Sequence, residues 1–438
     1  MSGIPTLHPS PAPPSLARLA ASRALRTWHV ARTVWRARRN LLHMFHPEVA
    51  GRPYLVSDLG TTRLITVNDA GLARHVLSDA ARRYRKGPLY AALLGDVLGA
   101  GSSLLLEGEA SRARRRLLAP AFNARAMARL EGLVARRTGA AVEDWARRGE
   151  IDLGAETARL TMGIAVEAFF SADLGARTEE TMRLLDRILV RASEPSLADL
   201  LALPDWVPRR SRADLRADVA RIDALLAPLI AARRGRPAPE NPDLLDALVH
   251  ARDAETGAAL SNRDVRDEVM TLLMAGHETT ALAMAWGLDR LAREPAWLAR
   301  LRAEPSLAAW TFEEVLRLYP PAYALAREAA EADRWGDLAI RPGDRLQIPV
   351  FMLQRNARYW REPDRFDPMR FATPPEPGAF LPFGAGPRLC IGLALARLEG
   401  RALLAAAAAR DLRPAGAAPR AVGRITLRPA EPIRLALA

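Results

Sequence analysis

The chain has 438 residues, 49% apolar and 26% charged, a globular balance that excludes a disordered, collagenous or coiled-coil protein. Its one cysteine, Cys390, excludes an internal disulfide and any multi-cysteine zinc or iron–sulfur site. The net charge of +13 rests on 63 basic residues, of which only Lys86 is a lysine. No basic stripe with interleaved aromatics accompanies that charge, so nucleic acid is not an expected partner. No stretch approaches the 18 apolar residues of a membrane span, and the expected location is cytoplasmic.

Residues 1–15 are rich in Pro and Ser, and 16–45 read as a helix. Residues 1–47 hold seven arginines and no acid. This segment has three readings: a plain surface segment, a transit-peptide-like leader, or an interfacial helix in peripheral contact with a membrane. The last would use Trp28, Val34, Trp35, Leu41, Leu42 and Phe45. Strand signals follow at Tyr54–Val56 and Leu64–Val67, then a helix at Ala70–Ser78. From about 107 to 320 the period is almost wholly helical, broken at Pro204–Pro208 and Arg236–Pro242. Strand signals return at Leu338–Ile340, Leu346–Val350, Ile425–Leu427 and Ile433–Leu435. The expected organisation is an N-terminal segment, 1–50, and one domain, 51–438, mainly α with a small β portion fed from both chain ends.

Phe380–Gly400 is the most informative stretch. A loop with Pro382, Gly384, Gly386 and Pro387 gives way to a helix from about Ile391, with no breaker until Gly400. Cys390 sits at the junction, where unpaired N–H groups lower a thiol pKa; Arg388 adds a cation, and the glycines let the backbone approach the sulfur. A lone cysteine is by itself more often an inert buried residue. The pattern Phe383-x-x-Gly386-x-Arg388-x-Cys390-x-Gly392 is far more specific, and it resembles the haem-ligand loop of the cytochromes P450. There the cysteine thiolate is the axial ligand of the iron. The absence of C-x-x-C-H agrees with haem b held without thioether links.

Three further motifs stand in the order of that family. Glu314 and Arg317, three apart on a helix, can meet; with the following Tyr319-Pro320-Pro321 they resemble the family's K-helix. There the pair is joined by an arginine matching Arg370 in Phe366-Asp367-Pro368-Met369-Arg370-Phe371, a structural role. A long helix over 261–292, opened by a capping-box-like Ser261 and Asp264, carries Ala275-Gly276-His277-Glu278-Thr279-Thr280. Alone this could be a threonine bonding back to its own helix. It resembles the family's I-helix motif, which implies that Thr279 holds dioxygen and water and that Glu278 feeds protons. His277 is expected on the helix surface. The resemblance also implies that Arg115, Arg327 and Arg388 hold the haem propionates. Ser111 stands where the family has Trp or His, and Arg112 could compensate.

The resemblance covers roughly residues 52–437. It implies a cytochrome P450 fold and a haem-thiolate monooxygenase inserting one oxygen atom of O2 into a hydrophobic small molecule, such as a terpenoid, fatty acid or polyketide. Selectivity would lie in 87–106 and 165–210, with Leu89, Leu93, Leu94, Val97, Leu98, Phe169, Phe170, Leu200, Leu201, Leu203 and Trp206. Electrons would come from a separate ferredoxin and reductase docking on Arg112, Arg114, Arg116, Arg397 and Arg401. A peroxide-using or hydroperoxide-isomerising enzyme of the same fold is the first alternative, and a non-catalytic haem- or ligand-binding protein the second.

Overall fold

The computed structural model describes residues 40–45, 47–59, 62–171, 178–192, 210–253 and 255–438. The N-terminal helix expected over 16–45 therefore lies outside the described residues except for its end, as do Leu200, Leu201, Leu203 and Trp206. Two compact units are present, Met1–His46 and Pro47–Ala438. In the first, Asn40 caps a short helical turn, Leu41–Met44, by accepting the Leu42 N–H at 3.0 Å.

The second unit carries thirteen α-helices among its described residues: α1 (Ala70–Arg74), α2 (Pro88–Leu98), α3 (Gly108–Leu118), α4 (Ala124–Arg148), α5 (Leu153–Phe170), α6 (Thr178–Ala192), α7 (Arg210–Arg234), α8 (Leu244–Val249), α9 (Asn262–Arg293), α10 (Pro295–Ala303), α11 (Ala308–Leu318), α12 (Val350–Leu353) and α13 (Leu393–Ala408). Its strands are β1 (Tyr54–Leu59), β2 (Thr62–Val67), β3 (Tyr84–Arg85), β4 (Glu150–Asp152), β5 (Leu325–Ala329), β6 (Asp333–Trp335), β7 (Leu338–Ile340), β8 (Arg345–Ile348), β9 (Leu412–Pro414), β10 (Ala421–Gly423), β11 (Leu427–Pro429) and β12 (Arg434–Leu437). The fold is mainly α with a small β portion. Among the described residues no helix is long and apolar enough to cross a membrane.

The largest sheet runs β1-β2-β8-β5-β3, with β2 and β8 parallel and the other pairs antiparallel. Alternation decides its inner face: Ile65, Val67, Leu346 and Ile348 are fully buried against Leu72 and Val76. β12 lies between β4 and β9, so the chain's last strand pairs with one from its first half. β4 is a strand that the helical period over 107–320 did not announce. The helix expected over Ala70–Ser78 closes as α1 at Arg74 and continues as a wider turn over His75–Asp79.

α9 is the central element. Ser261 and Asp264 form the reciprocal cap, each side chain accepting the other's backbone N–H at 3.1 Å. Beyond the first turns the helix is buried on nearly all sides, so it lacks the single apolar stripe of a surface helix. Its first half packs in a core with Val97, Leu98, Phe169 and Phe170, and its second half with α11 and α13. Trp286 stacks on Tyr319 with ring centroids 4.4 Å apart.

Candidate functional site

Glu314 and Arg317 are fully buried on α11. Arg317 donates to Glu314 from Nε at 2.6 Å and from Nη2 at 2.8 Å, and Arg370 approaches the same carboxylate at 3.4 Å. Arg317 also donates to the carbonyls of Gln354, Pro363 and Arg365. Gln354 was not singled out from the sequence. Its amide N–H groups meet the Leu316 and Arg317 carbonyls, and its Oε1 accepts the Leu381 N–H at 2.8 Å. Through that one side chain the buried ion pair is joined to the start of the cysteine loop.

The loop closes on itself through Gly384 N–H to the Leu381 carbonyl and Cys390 N–H to the Phe383 carbonyl, at 3.0 and 2.9 Å. Gly386 has φ +64°, and a Cβ there would lie 2.1 Å from the Leu77 carbonyl oxygen. The motif glycine therefore serves contact between the loop and the turn after α1, not approach to the sulfur. α13 begins at Leu393, three residues beyond Cys390, and runs through Gly400, which is not a breaker. A Cβ at Gly400 would sit 2.3 Å from the Phe312 ring, so the missing side chain lets α13 and α11 pack closely.

Cys390 is enclosed by protein, yet its side chain retains open surface. Burial pushes the thiol pKa up; the Gly392 N–H and the Arg115 charge pull it down without outweighing burial. This corrects the lowered pKa expected from the sequence. The cation that acts on the sulfur is Arg115, not Arg388.

Arg388 turns instead to α3: Nη1 donates to Ser111 Oγ and Nη2 to Glu107, each at 2.5 Å. Ser111, buried where an aromatic was expected, thus makes room for the arginine. Arg112 does not take over; it is exposed and pairs with Glu109. Arg115 donates to the Leu389 carbonyl at 2.7 Å, and the buried Arg327 donates to the Ala326 carbonyl at 2.8 Å. Lys86, which sequence reasoning missed, feels the charges of Arg388, Arg327 and Arg115. Glu107, also missed, is a carboxylate that attracts Lys86 against them. The one signal in the sequence was that Lys86 is a lysine at all.

On α9, Ala275 and Gly276 are exposed in the middle of an otherwise buried helix, and a Cβ on Gly276 would meet nothing within 4 Å. Thr279 donates to the Ala275 carbonyl at 2.6 Å, so it does bond back to its own helix. Glu278 is not in solvent. Its Oε1 accepts from Thr426 Oγ1 at 2.6 Å and from Arg428 Nε at 2.8 Å, both near the C-terminus and both missed from sequence. His277 is a correction: it is buried, with Nδ1 3.1 Å from the Thr161 hydroxyl, and burial followed by the Arg428 charge pushes its pKa down to about 4. Among the described residues no cluster of three His, Cys, Asp or Glu could hold a metal.

The arginines expected to receive a redox partner are mostly engaged. Arg114 is buried and pairs with Asp264 and Glu268, which removes it from any docking face. Arg116 pairs with Glu109, Asp253 and Glu255; Arg397 with Glu313; and Arg401 with Glu131. Leu94, Val97, Leu98, Phe169 and Phe170 pack in or against one core cluster with Met270 and Leu273 of α9.

A family model described as "Cytochrome P450" matches residues 24–407. Cyclooctatin synthase of Streptomyces melanosporofaciens is 32% identical over 320 residues, 68% of this chain and 70% of that one. Protein LUTEIN DEFICIENT 5, chloroplastic, of Arabidopsis thaliana is 29% identical over 382 residues, 78% of this chain and 64% of that one. The crystal structure of the cytochrome P450DA heme domain superposes with a TM-score of 0.78 at 26% identity, covering 89% of this chain and 91% of that one. With the fold, the cysteine loop and the order of the motifs in agreement, this chain belongs to the cytochrome P450 family.

Proposed function

We propose that this protein is a haem-thiolate monooxygenase that hydroxylates a hydrophobic small molecule with electrons from a separate ferredoxin and reductase. Family membership implies a haem cofactor, molecular oxygen, a small-molecule substrate, a source of electrons and oxidoreductase activity of the monooxygenase type. The further detail belongs to this reading: haem b as the form of the cofactor, a cytoplasmic location, and a terpenoid, fatty acid or polyketide as substrate. The apolar packing of α2, α5 and α9 supports a hydrophobic ligand.

The donor set fits a haem. A soft sulfur donor with open surface stands on a loop fixed from behind by a buried ion pair. A metal ion deprotonates a coordinated thiol outright, so the raised pKa of the free thiol is no obstacle. Arg388, Arg327 and Arg115 all act on Lys86 with Glu107 opposing them, a concentration of positive charge suited to two propionates. The open stretch at Ala275 and Gly276 leaves a helix backbone bare for a ligand.

In this reading Cys390 holds the iron, with Phe383 and Gly392 framing the sulfur, and Arg115, Arg327 and Arg388 hold the propionates. When bound, the haem supplies the oxygen-activating chemistry. Thr279 presents a hydroxyl that can orient water beside the bare backbone of Ala275 and Gly276. Glu278, once its carboxylate leaves Arg428, would take a proton from water and pass it inward. Glu314, Arg317 and Arg370 act only by fixing the loop.

The observation that carries the reading is Cys390, an exposed residue whose sulfur is bonded by the Gly392 N–H, in a loop braced by Gln354. The test is the reduced carbon-monoxide difference spectrum of the purified protein. A Soret band at the thiolate position, lost in Cys390→Ser, is expected; a histidine-type band or no haem uptake overturns the reading. Product formed with NADPH, ferredoxin and reductase, and not with peroxide alone, separates it from the peroxide-using and non-catalytic alternatives.

A further inference from the structure

The hairpin of β6 and β7 turns at Gly336 and Asp337 and has two unlike faces. Pairing sets Asp333 against Ile340, Arg334 against Ala339 and Trp335 against Leu338. Strand alternation puts Asp333, Trp335, Leu338 and Ile340 on one face. That face is anchored. Leu338 and Ile340 are buried in the core with Ile65 and Val76, and Trp335 meets the His75 ring with centroids 5.1 Å apart. Asp333 lies 2.8 Å from His75 Nε2 and accepts from Arg83 Nη1 at 2.6 Å, from the Tyr84 hydroxyl at 2.7 Å and from the Arg334 N–H at 2.9 Å. Its charge is answered where it stands.

The other face carries Arg334 beside Ala339 and, one step further along the register, Ala332 beside Arg341; all four are exposed. Two arginines thus occupy one diagonal of the patch and two alanines the other. Diagonal neighbours in an antiparallel pair are roughly 7–8 Å apart, within reach of long side chains. Neither Arg334 nor Arg341 has a side-chain hydrogen bond or ion pair among the described residues. With Arg83 and Asp333 these residues line a cleft of about 660 Å³. Among the described residues Asp333 is the only carboxylate lining it, and Asp333 is already engaged. Arg83 is half exposed and spends only Nη1 on that carboxylate. The cleft therefore presents three guanidinium groups and no uncommitted anion.

We propose that this cleft binds a phosphate group, held between the Arg334 and Arg341 guanidinium forks with Arg83 beside them. A planar fork matches phosphate oxygens two at a time. A carboxylate has two oxygens and one charge, enough for one fork; a phosphate has oxygens and charge for both. The alanines leave the space between the forks open, and the anchored inner face holds the backbone of both arginines in place, so binding has little order to impose there. The site lies apart from the cysteine loop and α9 and does not rest on the haem reading. The same contacts serve a soluble phosphate compound and a phospholipid headgroup, and the test separates the two.

The full chain is titrated calorimetrically with sodium pyrophosphate at fixed ionic strength. Separately, it is sedimented with phosphatidylcholine vesicles holding about one-fifth phosphatidic acid. Wild type is compared with Arg334→Gln/Arg341→Gln and with Arg125→Gln/Arg129→Gln, which removes two exposed arginines of α4 and matches the change in net charge. Wild type and the α4 variant are expected to bind pyrophosphate alike, and the hairpin variant at least about tenfold more weakly. If only pyrophosphate separates the two variants, the phosphate belongs to a soluble compound. If the vesicles separate them, alone or as well, it belongs to a lipid headgroup. A hairpin variant that neither probe distinguishes from the α4 variant overturns the proposal. The carbon-monoxide band is expected to be the same in all three proteins, so failure here leaves the haem reading untouched.

Discussion

Arg317 has no exposed surface, and its guanidinium meets one carboxylate and three carbonyls. Removing it leaves Glu314 as a buried charge held only by the Asp367 N–H at 2.8 Å and by Arg370 at 3.4 Å. Breaking such a pair costs about 3–5 kcal/mol. Here the cost falls on the segment that Gln354 ties to the cysteine loop. Arg317→Ala is therefore expected to yield protein with little haem, read as the ratio of Soret to protein absorbance; normal haem content would refute the bracing role. The pair was legible in the sequence because its members are one helical turn apart. Gln354 was not, because its three hydrogen bonds join segments 27 to 38 residues away and glutamine carries no positional signature. His277 was misread for a related reason: in a motif of polar residues only the fold decides which side chain turns inward.

Helix α13 combines two features that oppose ordinary helix logic, a glycine in its interior and a carboxyl group in its core. Gly400 costs about 1 kcal/mol against alanine in helix propensity, a cost offset by contact with Phe312. Glu399 is buried with no ion-pair partner among the described residues, and burial pushes its pKa up to about 8. Between pH 4.5 and 8 the native state therefore holds a proton that the unfolded chain has released. Stability from this group is present below pH 4.5 and is lost as pH rises towards 8, by an amount on the order of 4 kcal/mol. Glu399→Gln is expected to gain stability over wild type at pH 8 and to lose that advantage at pH 5. Guanidinium unfolding midpoints at the two pH values read this directly, and parallel pH slopes for the two proteins would refute it. The long elements were legible: α9 from its capping box and length, and β1 with β2 from their runs of apolar and β-branched residues on either side of a turn-prone stretch. The three-residue β4 was not, because it is a strand only by pairing with β12 at the far end of the chain.

At the scale of the whole molecule, the proposed cofactor would be held by residues from β5, α3, α9 and the cysteine loop. Anything that binds only the folded state stabilises it by mass action, by about 4 kcal/mol at a thousandfold excess over Kd. Extracting the haem is expected to lower the unfolding midpoint markedly and to restore it on reconstitution, followed by circular dichroism. A haem-free protein as stable as the loaded one would contradict a binding site spread over these elements. The net charge of +13 is less telling than it seemed from sequence, since the arginines named for docking each meet a carboxylate, and Arg114 is buried.

The contact of Glu278 with Thr426 and Arg428 also has a consequence in time. The glutamate proposed to hand on protons is completed by side chains among the last thirteen residues of the chain. During synthesis the central helix is made about 150 residues before the partners that orient its carboxylate, so that part of the site cannot form until the chain through Arg428 has been made. A proteolytic cut between the central helix and Thr426 that releases this segment would act on the site itself.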